Sequence, residues 1–323
     1  MPIHTPHFPD LLFDGAARLR HWEGALMGLL ERQDFRELHP SLVLREPLEE
    51  GTVQFFDQDE RVALRWDWTV ALARQLARRF NEPPPRVSYA GSVFRRPQSS
   101  WEPVERFEVG CERIQLDPES RTASDLELAQ LLMSVPGVLG LKGGLLQLGH
   151  AALLRKPMEA EALPSELEHQ VVRALSRRAP HRVKAALGDH PAAARLLRHA
   201  EALLSELDGP TTLNALEFSP YRAMLEEERA ELSRALNALS PILPQGLELR
   251  VDLGDVAGLR FYTGPTLRLW APGARQELAA GGRYDGLFPQ LGRPWYAAGF
   301  CVRLSRMLDL ADTRPELFEG FTP

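Results

Sequence analysis

The chain has 323 residues with 44 acidic and 38 basic side chains, a formal charge of −6, and 44% hydrophobic and 25% charged residues, so it is neither disordered nor collagenous. Its length exceeds the roughly 250–300 residues at which one core stops growing, which leads to an expectation of two domains. Two cysteines, Cys111 and Cys301, exclude a disulfide framework and an all-cysteine metal cage, and the acidic balance supplies no general attraction for nucleic acid. Arginine accounts for 35 of the 38 cations, a bias spread along the whole chain and read as genomic composition. The apolar runs are far shorter than the roughly 20 residues that span a bilayer. No basic-then-apolar leader opens the chain, so a cytoplasmic location is expected.

Residues 15–31 carry Ala16, Leu19, Trp22, Leu26, Leu29 and Leu30 at helical spacing. A short strand is expected at Phe35–His39, stopped by Pro40, and another at 62–66. Thr69–Phe80 reads as a helix with Arg74, Arg78 and Arg79 on its wet side. Pro83–Pro85 form a break. Strand-like runs at Val87–Phe94 and Phe107–Leu116 flank a polar loop, and a helix follows from Ala123 to Ser134, ended by Pro136-Gly137. Residues 151–240 are rich in Ala, Leu, Glu and Arg at helical spacing, cut by Gly188, Gly209-Pro210 and Pro220 into four or five helices. From Leu247 apolar and charged residues alternate, as in a half-buried antiparallel strand. Strands are expected at 259–270 and 275–282 and a helix at Arg303–Leu310. The order gives an α+β fold with a helical domain inserted into a split antiparallel sheet. Its divisions are 1–150 with 246–323, and 151–245.

The most informative stretch is Phe107-Glu108-Val109-Gly110-Cys111-Glu112. Strand alternation puts Phe107, Val109 and Cys111 on one face and Glu108, Gly110 and Glu112 on the other. Two carboxylates flanking a glycine make an acidic floor suited to an amine or an imidazolium. Alternatively, both pair with an arginine such as Arg95 on the neighbouring strand. At a strand-to-helix junction, Thr69 is placed to cap the helix and Asp67 to favour its N-terminus. Gly281, Gly282 and Gly286 either admit a close backbone approach or make a tight turn. Tyr262 is placed to line the same pocket. No His-x-x-x-His or Cys-x-x-Cys spacing supports a metal site, and no cofactor motif is present. Cys111 and Cys301 read as buried packing residues.

In this order, these segments resemble the core of histidyl-tRNA synthetase, a class II aminoacyl-tRNA synthetase-like antiparallel sheet flanked by helices. Phe35–Pro40 resembles its dimer-forming first motif. Val93-Phe94-Arg95 with Arg106-Phe107-Glu108 resembles the second, and Gly299–Met307 the third. Gly258–Gly264 and Ala280–Leu287 resemble its histidine-specific motifs. The resemblance implies a pocket for free histidine made by Asp67, Arg95, Glu108, Glu112, Tyr262 and Tyr284. Asp67 would meet the α-amino group and Glu112 the imidazole.

The departures from that family bear on catalysis. The arginine that polarises the reacting carboxylate is replaced by Ala257, a loss on the order of 3 kcal/mol for a preorganised donor. The acidic residue after the second-motif arginine is missing from Arg95-Arg96-Pro97-Gln98. In the third motif Arg306 is kept, while Arg303 replaces a small residue and Ser305 an acidic one. Glu108 stands where the synthetase has a neutral amide. Only 13 residues follow Leu310, against the roughly 100 of an anticodon-binding domain, so no tRNA partner is expected. This combination resembles the regulatory subunits of ATP phosphoribosyltransferase. That resemblance implies a non-catalytic, histidine-binding homodimer that assembles with a short catalytic subunit in the first step of histidine biosynthesis. The competing expectation is a truncated synthetase-like enzyme that activates an amino acid with ATP.

Overall fold

The computed structural model describes residues 10–45, 51–97, 102–205, 209–256 and 261–319. Helix α1 (Phe13–Glu31) buries Trp22, Leu26 and Leu30, one stripe at four-residue spacing. Strands β1 (Arg36–Glu37), β2 (Val43–Leu44), β3 (Gln54–Asp57) and β4 (Glu60–Leu64) lead into α2 (Trp68–Arg79). A long hairpin follows, β5 (Arg86–Phe94) and β6 (Glu105–Gln115), then α3 (Arg121–Val138) and β7 (Gly144–His150). Helices α4 (Ala152–Ala160), α5 (Ser165–Ser176), α6 (His181–Leu187), α7 (Ala193–Leu203) and α8 (Glu226–Leu239) separate β7 from β8 (Leu247–Val251). The remaining elements are β9 (Pro265–Trp270), β10 (Ala279–Arg283), α9 (Leu287–Gln290), β11 (Tyr296–Arg303) and α10 (Leu304–Thr313).

Among the described residues the main sheet has eight strands in the order β1-β5-β6-β11-β10-β9-β7-β8, and β2-β4-β3 form a small second sheet. The central ladders are antiparallel, with parallel pairs at both edges, β1 on β5 and β8 on β7. The 247–253 segment is therefore an edge strand as its alternation indicates, but parallel rather than antiparallel. Parallel neighbours need a long crossover, and the α4–α8 block between β7 and β8 supplies it. Four strands escaped the sequence reading, β2, β3, β7 and β11; in the last two, Gly149, Ala297, Ala298 and Gly299 blur the alternation. Helix α3 also runs beyond its expected end. Pro136 is buried inside it, and the helix closes through Leu139 N–H to the Val135 carbonyl at 3.0 Å.

One face of the sheet packs the large core. Val109 and Cys111 of β6 meet Trp22 and Leu26 of α1, Leu128 and Leu132 of α3, and Met307 of α10. The same apolar cluster continues into α4–α8 through Leu153, Val171, Leu196 and Leu232. An ion cluster reinforces that junction. Arg283 at the end of β10 is buried against Asp125 of α3 and against Glu231 of α8 at 3.1 Å, and His150 meets the same Glu231 at 3.0 Å. Burial alone would raise Glu231, but the His150 hydrogen bond and the Arg283 charge hold it down at about 2. The opposite face carries two smaller apolar clusters, one of Leu76, Ile114, Phe288 and Trp295 and one of Trp68, Leu72, Tyr89 and Val93. No helix among the described residues is long and apolar enough to cross a membrane.

The β5–β6 register places Tyr89 opposite Gly110. A Cβ on Gly110 would stand 2.5 Å from the Phe300 carbonyl oxygen and inside contact distance of the Tyr89 ring. Gly110→Ala is expected to cost about 1–3 kcal/mol by overpacking, read as a lower urea midpoint with an unchanged slope.

Candidate functional site

Glu108, Gly110 and Glu112 face away from the large core. In the β6–β11 ladder their partners are Arg303, Cys301 and Gly299. Glu108, Glu112, Arg303, Cys301 and Gly299 floor a cavity of about 350 Å³, while Gly110 is covered by the Tyr89 ring. The start of α2, with Asp67 and Thr69, walls one side, and the segments holding Tyr262 and Tyr284 wall another. All six residues singled out in the sequence, Asp67, Arg95, Glu108, Glu112, Tyr262 and Tyr284, line this one cavity.

Both carboxylates of the floor are buried, each 2% exposed, yet their surroundings differ. Among the described residues no cation forms an ion pair with Glu112. Three hydroxyls surround it instead: Thr69 at 2.7 Å and Tyr89 at 3.4 Å on one oxygen, Tyr284 at 2.5 Å on the other. Burial dominates and pushes Glu112 up to about 7; the three hydroxyl hydrogen bonds oppose the rise and nearby Asp67 adds to it. Burial and the Glu112 charge raise the Tyr89 and Tyr284 phenols, so they stay protonated and donate. Gly299 is required here, because any Cβ would overlap the Glu112 carboxylate.

Glu108 does have a cation, Arg95, at 3.6 Å. Arg95 also donates to the Trp66 carbonyl at 2.6 Å and meets Asp67 at 3.2 Å. Burial would lower the Arg95 guanidinium, but Glu108 and Asp67 outweigh it and keep it firmly charged. The two readings of the acidic floor therefore divide by residue: Glu108 is paired with Arg95, and Glu112 is not.

Several expectations are corrected. Asp67, not Thr69, caps α2: its carboxylate accepts from Val70 N–H at 3.0 Å. Thr69, in the first turn, donates instead to Glu112. Arg74 is half-buried over the Trp66 ring at 5.5 Å rather than fully wet. Cys111 is a buried packing residue, whereas Cys301 lines the cavity because its register partner is Gly110. Sequence reasoning missed Tyr89, Phe261 and Arg303 as lining residues. Phe261 stacks on Tyr284 at 4.8 Å between centroids. Recognising β11 as a strand would have put Arg303 beside Glu108. Ala257, Arg260 and Gln98 lie outside the described residues.

Arg303 also lines a second cavity of about 310 Å³, together with Arg106 and Arg306. Glu277 holds Arg303 at 2.7 Å and Arg306 at 3.3 Å, and Arg306 N–H groups also reach the Glu277 carbonyl at 2.8 Å. Burial and the neighbouring Arg303 charge lower Arg306 to about 10. Ser305 accepts from Phe107 N–H at 2.8 Å, a structural use of the third-motif position. Among the described residues no cluster of three or more His, Cys, Asp or Glu side chains is arranged to hold a metal ion.

Residues 7–307 match the family described as histidyl-tRNA synthetase. An ATP phosphoribosyltransferase regulatory subunit from Anaeromyxobacter dehalogenans is 33% identical over 311 residues, 91% of this chain and 87% of that one. One from Pseudomonas aeruginosa is 33% identical over 261 residues, 78% of this chain; the match spans 64% of that longer protein. Among solved structures, an ATP phosphoribosyltransferase regulatory subunit/histidyl-tRNA synthetase from Bacillus halodurans superposes with a TM-score of 0.79 at 19% identity, covering 96% of this chain and 83% of that one. A chain of an ATP phosphoribosyl transferase complex from Thermotoga maritima gives 0.67 at 16% identity, covering 87% and 96%. At these identities the structural likeness establishes the fold, a class II synthetase-like core.

The raised Glu112 has a sign that can be tested. Folded, it titrates near 7, against 4.5 for an ordinary glutamate. Below pH 4.5 both states are protonated and no penalty exists; above pH 7 the folded chain bears an ionised buried carboxylate at a cost of about 3 kcal/mol. Glu112→Gln is therefore expected to stabilise the unliganded chain by about 1–2 kcal/mol at pH 8 and by little at pH 5, read from urea unfolding at the two pH values.

Proposed function

We propose that this chain, which belongs to the histidyl-tRNA synthetase family and within it to the ATP phosphoribosyltransferase regulatory subunits, is a non-catalytic subunit that binds free histidine and regulates a short catalytic partner. The observation that carries the reading is the buried, cation-free Glu112 under a 350 Å³ cavity. A carboxylate near neutrality with three hydroxyl donors is poised to share one proton with an imidazole. Asp67 and Glu108 supply the anions for the α-ammonium, and Tyr262 and Tyr284 flank the ring. In this reading residues 1–150 and 246–323 form the synthetase-like core and 151–245 the inserted domain. The stretch around Phe35–Pro40, including edge strand β1, forms a homodimer contact.

Loss of catalysis fits the same site. Arg303 fills the boundary between the two cavities, where the synthetase motif has a small residue, and Glu277 fixes it there. End-product inhibition then follows from linkage: histidine shifts the complex only if it binds its two states with different affinity.

Mixing the chain with a short-form catalytic subunit should raise phosphoribosyl transfer to ATP, and added histidine should suppress it. No stimulation, together with histidine-dependent pyrophosphate exchange by this chain alone, would establish the synthetase-like enzyme instead. Histidine affinity should also peak near pH 7. The bound pair keeps one proton, so affinity falls by up to about tenfold per pH unit above 7, where free Glu112 and imidazole both lack it. Affinity also falls below about pH 6, where both carry one. Calorimetric titration between pH 5.5 and 8.5 tests this, and a flat profile would remove Glu112 from the imidazole.

A further inference from the structure

The floor of the cavity is polar in a second sense. Glu108 and Arg303 are direct partners across the β6–β11 ladder, so an anion and a cation stand side by side on one face. They do not neutralise each other. Glu108 takes its cation from Arg95 at 3.6 Å, and Arg303 takes its anion from Glu277 at 2.7 Å.

The ion-pair partners are unequal in opposite directions. Around Arg95 two carboxylates, Asp67 and Glu108, lie within ion-pair distance of one guanidinium. Around Glu277 two guanidinium groups, Arg303 and Arg306, lie within ion-pair distance of one carboxylate. The Arg95 fork is committed to the Trp66 carbonyl, Asp67 and Glu108. Arg303, by contrast, donates to a side chain through Nη1 alone, to Glu277, and lines the cavity.

An α-amino acid carries its ammonium and its carboxylate on one carbon. A site that reads both needs adjacent charges of opposite sign, each with unspent capacity. We infer that Arg303 binds the ligand's α-carboxylate by its guanidinium fork, while Glu108 and Asp67 take the ammonium and Glu112 the side chain. This assignment rests on the histidine reading above and deepens it. Arg303 becomes the residue that selects an amino acid over the corresponding amine, a role beyond its closure of the second cavity.

The test compares L-histidine with histamine, which keeps the amine and imidazole and lacks the carboxylate. Calorimetry on the full chain should show Arg303→Met weakening histidine by about tenfold or more, the range for a charge-assisted bidentate pair, with histamine changed by less than about twofold. Retained histamine binding also reports that the variant is folded. Arg303→Lys, which keeps the charge without the fork, should show a smaller loss, again confined to histidine; if Arg303→Met fails to fold, this variant carries the comparison. Equal losses for both ligands, or unchanged histidine affinity, would overturn the role of Arg303 while leaving the histidine pocket intact. A wild-type chain that binds neither ligand would overturn the histidine reading, and the inference with it.

Discussion

A carboxylate cannot be taken out of water without partners, and the arrangement of this site follows from how Glu112 is provided with them. Among the described residues hydroxyls serve in place of a guanidinium or ammonium, and each comes from a different element. Thr69 comes from the first turn of α2, Tyr89 from β5 and Tyr284 from the end of β10. Gly299 on β11 leaves room for the carboxylate itself. Four elements distant in sequence are thereby held to one side chain. The surrounding strands approach closely enough to donate because Gly110 admits the Tyr89 ring and Gly299 admits the Glu112 carboxylate.

The contrast with Glu108 shows how neighbouring positions on one strand acquire different chemistry. Four residues away on the same face, Glu108 meets the Arg95 guanidinium at 3.6 Å. Glu112 meets only neutral donors and moves to neutrality. The difference lies in the hairpin. Arg95 stands just past the end of β5, level with the Glu108 end of the ladder, while the Glu112 end is paired with Val87 and offers no charge. The large core on the opposite face gives both positions a rigid base. Its Val109 and Cys111 fix the strand's orientation, and the alternation leaves the acids no other direction.

This division explains which features could be read from the residues. The acidic floor was legible because a strand's period is two and six consecutive residues suffice to assign both faces. Asp67 was legible as a carboxylate at a helix start. Three things were not. Thr69 and Asp67 compete for one cap, and only the backbone geometry at residue 67 decides between them. Arg303 and Cys301 acquire a direction only once β11 is a strand, and its run of Ala and Gly hides that. The parallel pairing of β8 depends on where the chain goes during the intervening helices, which no local pattern encodes. Local alternation carried the chemistry of single strands, and non-local register carried the rest.

Arg283 and Tyr284 are consecutive, and their Cα atoms stand about 3.8 Å apart. They point to opposite faces of the sheet: Tyr284 grips Glu112, while Arg283 is clamped by Asp125 and by Glu231 of α8. Mechanically, the end of β10 is an axle passing through the sheet wall. A twist of the strand that lifts one side chain lowers the other. The tyrosine that meets the buried carboxylate is therefore anchored, one residue away, by an ion cluster on the far side that reaches α8, the last helix before β8.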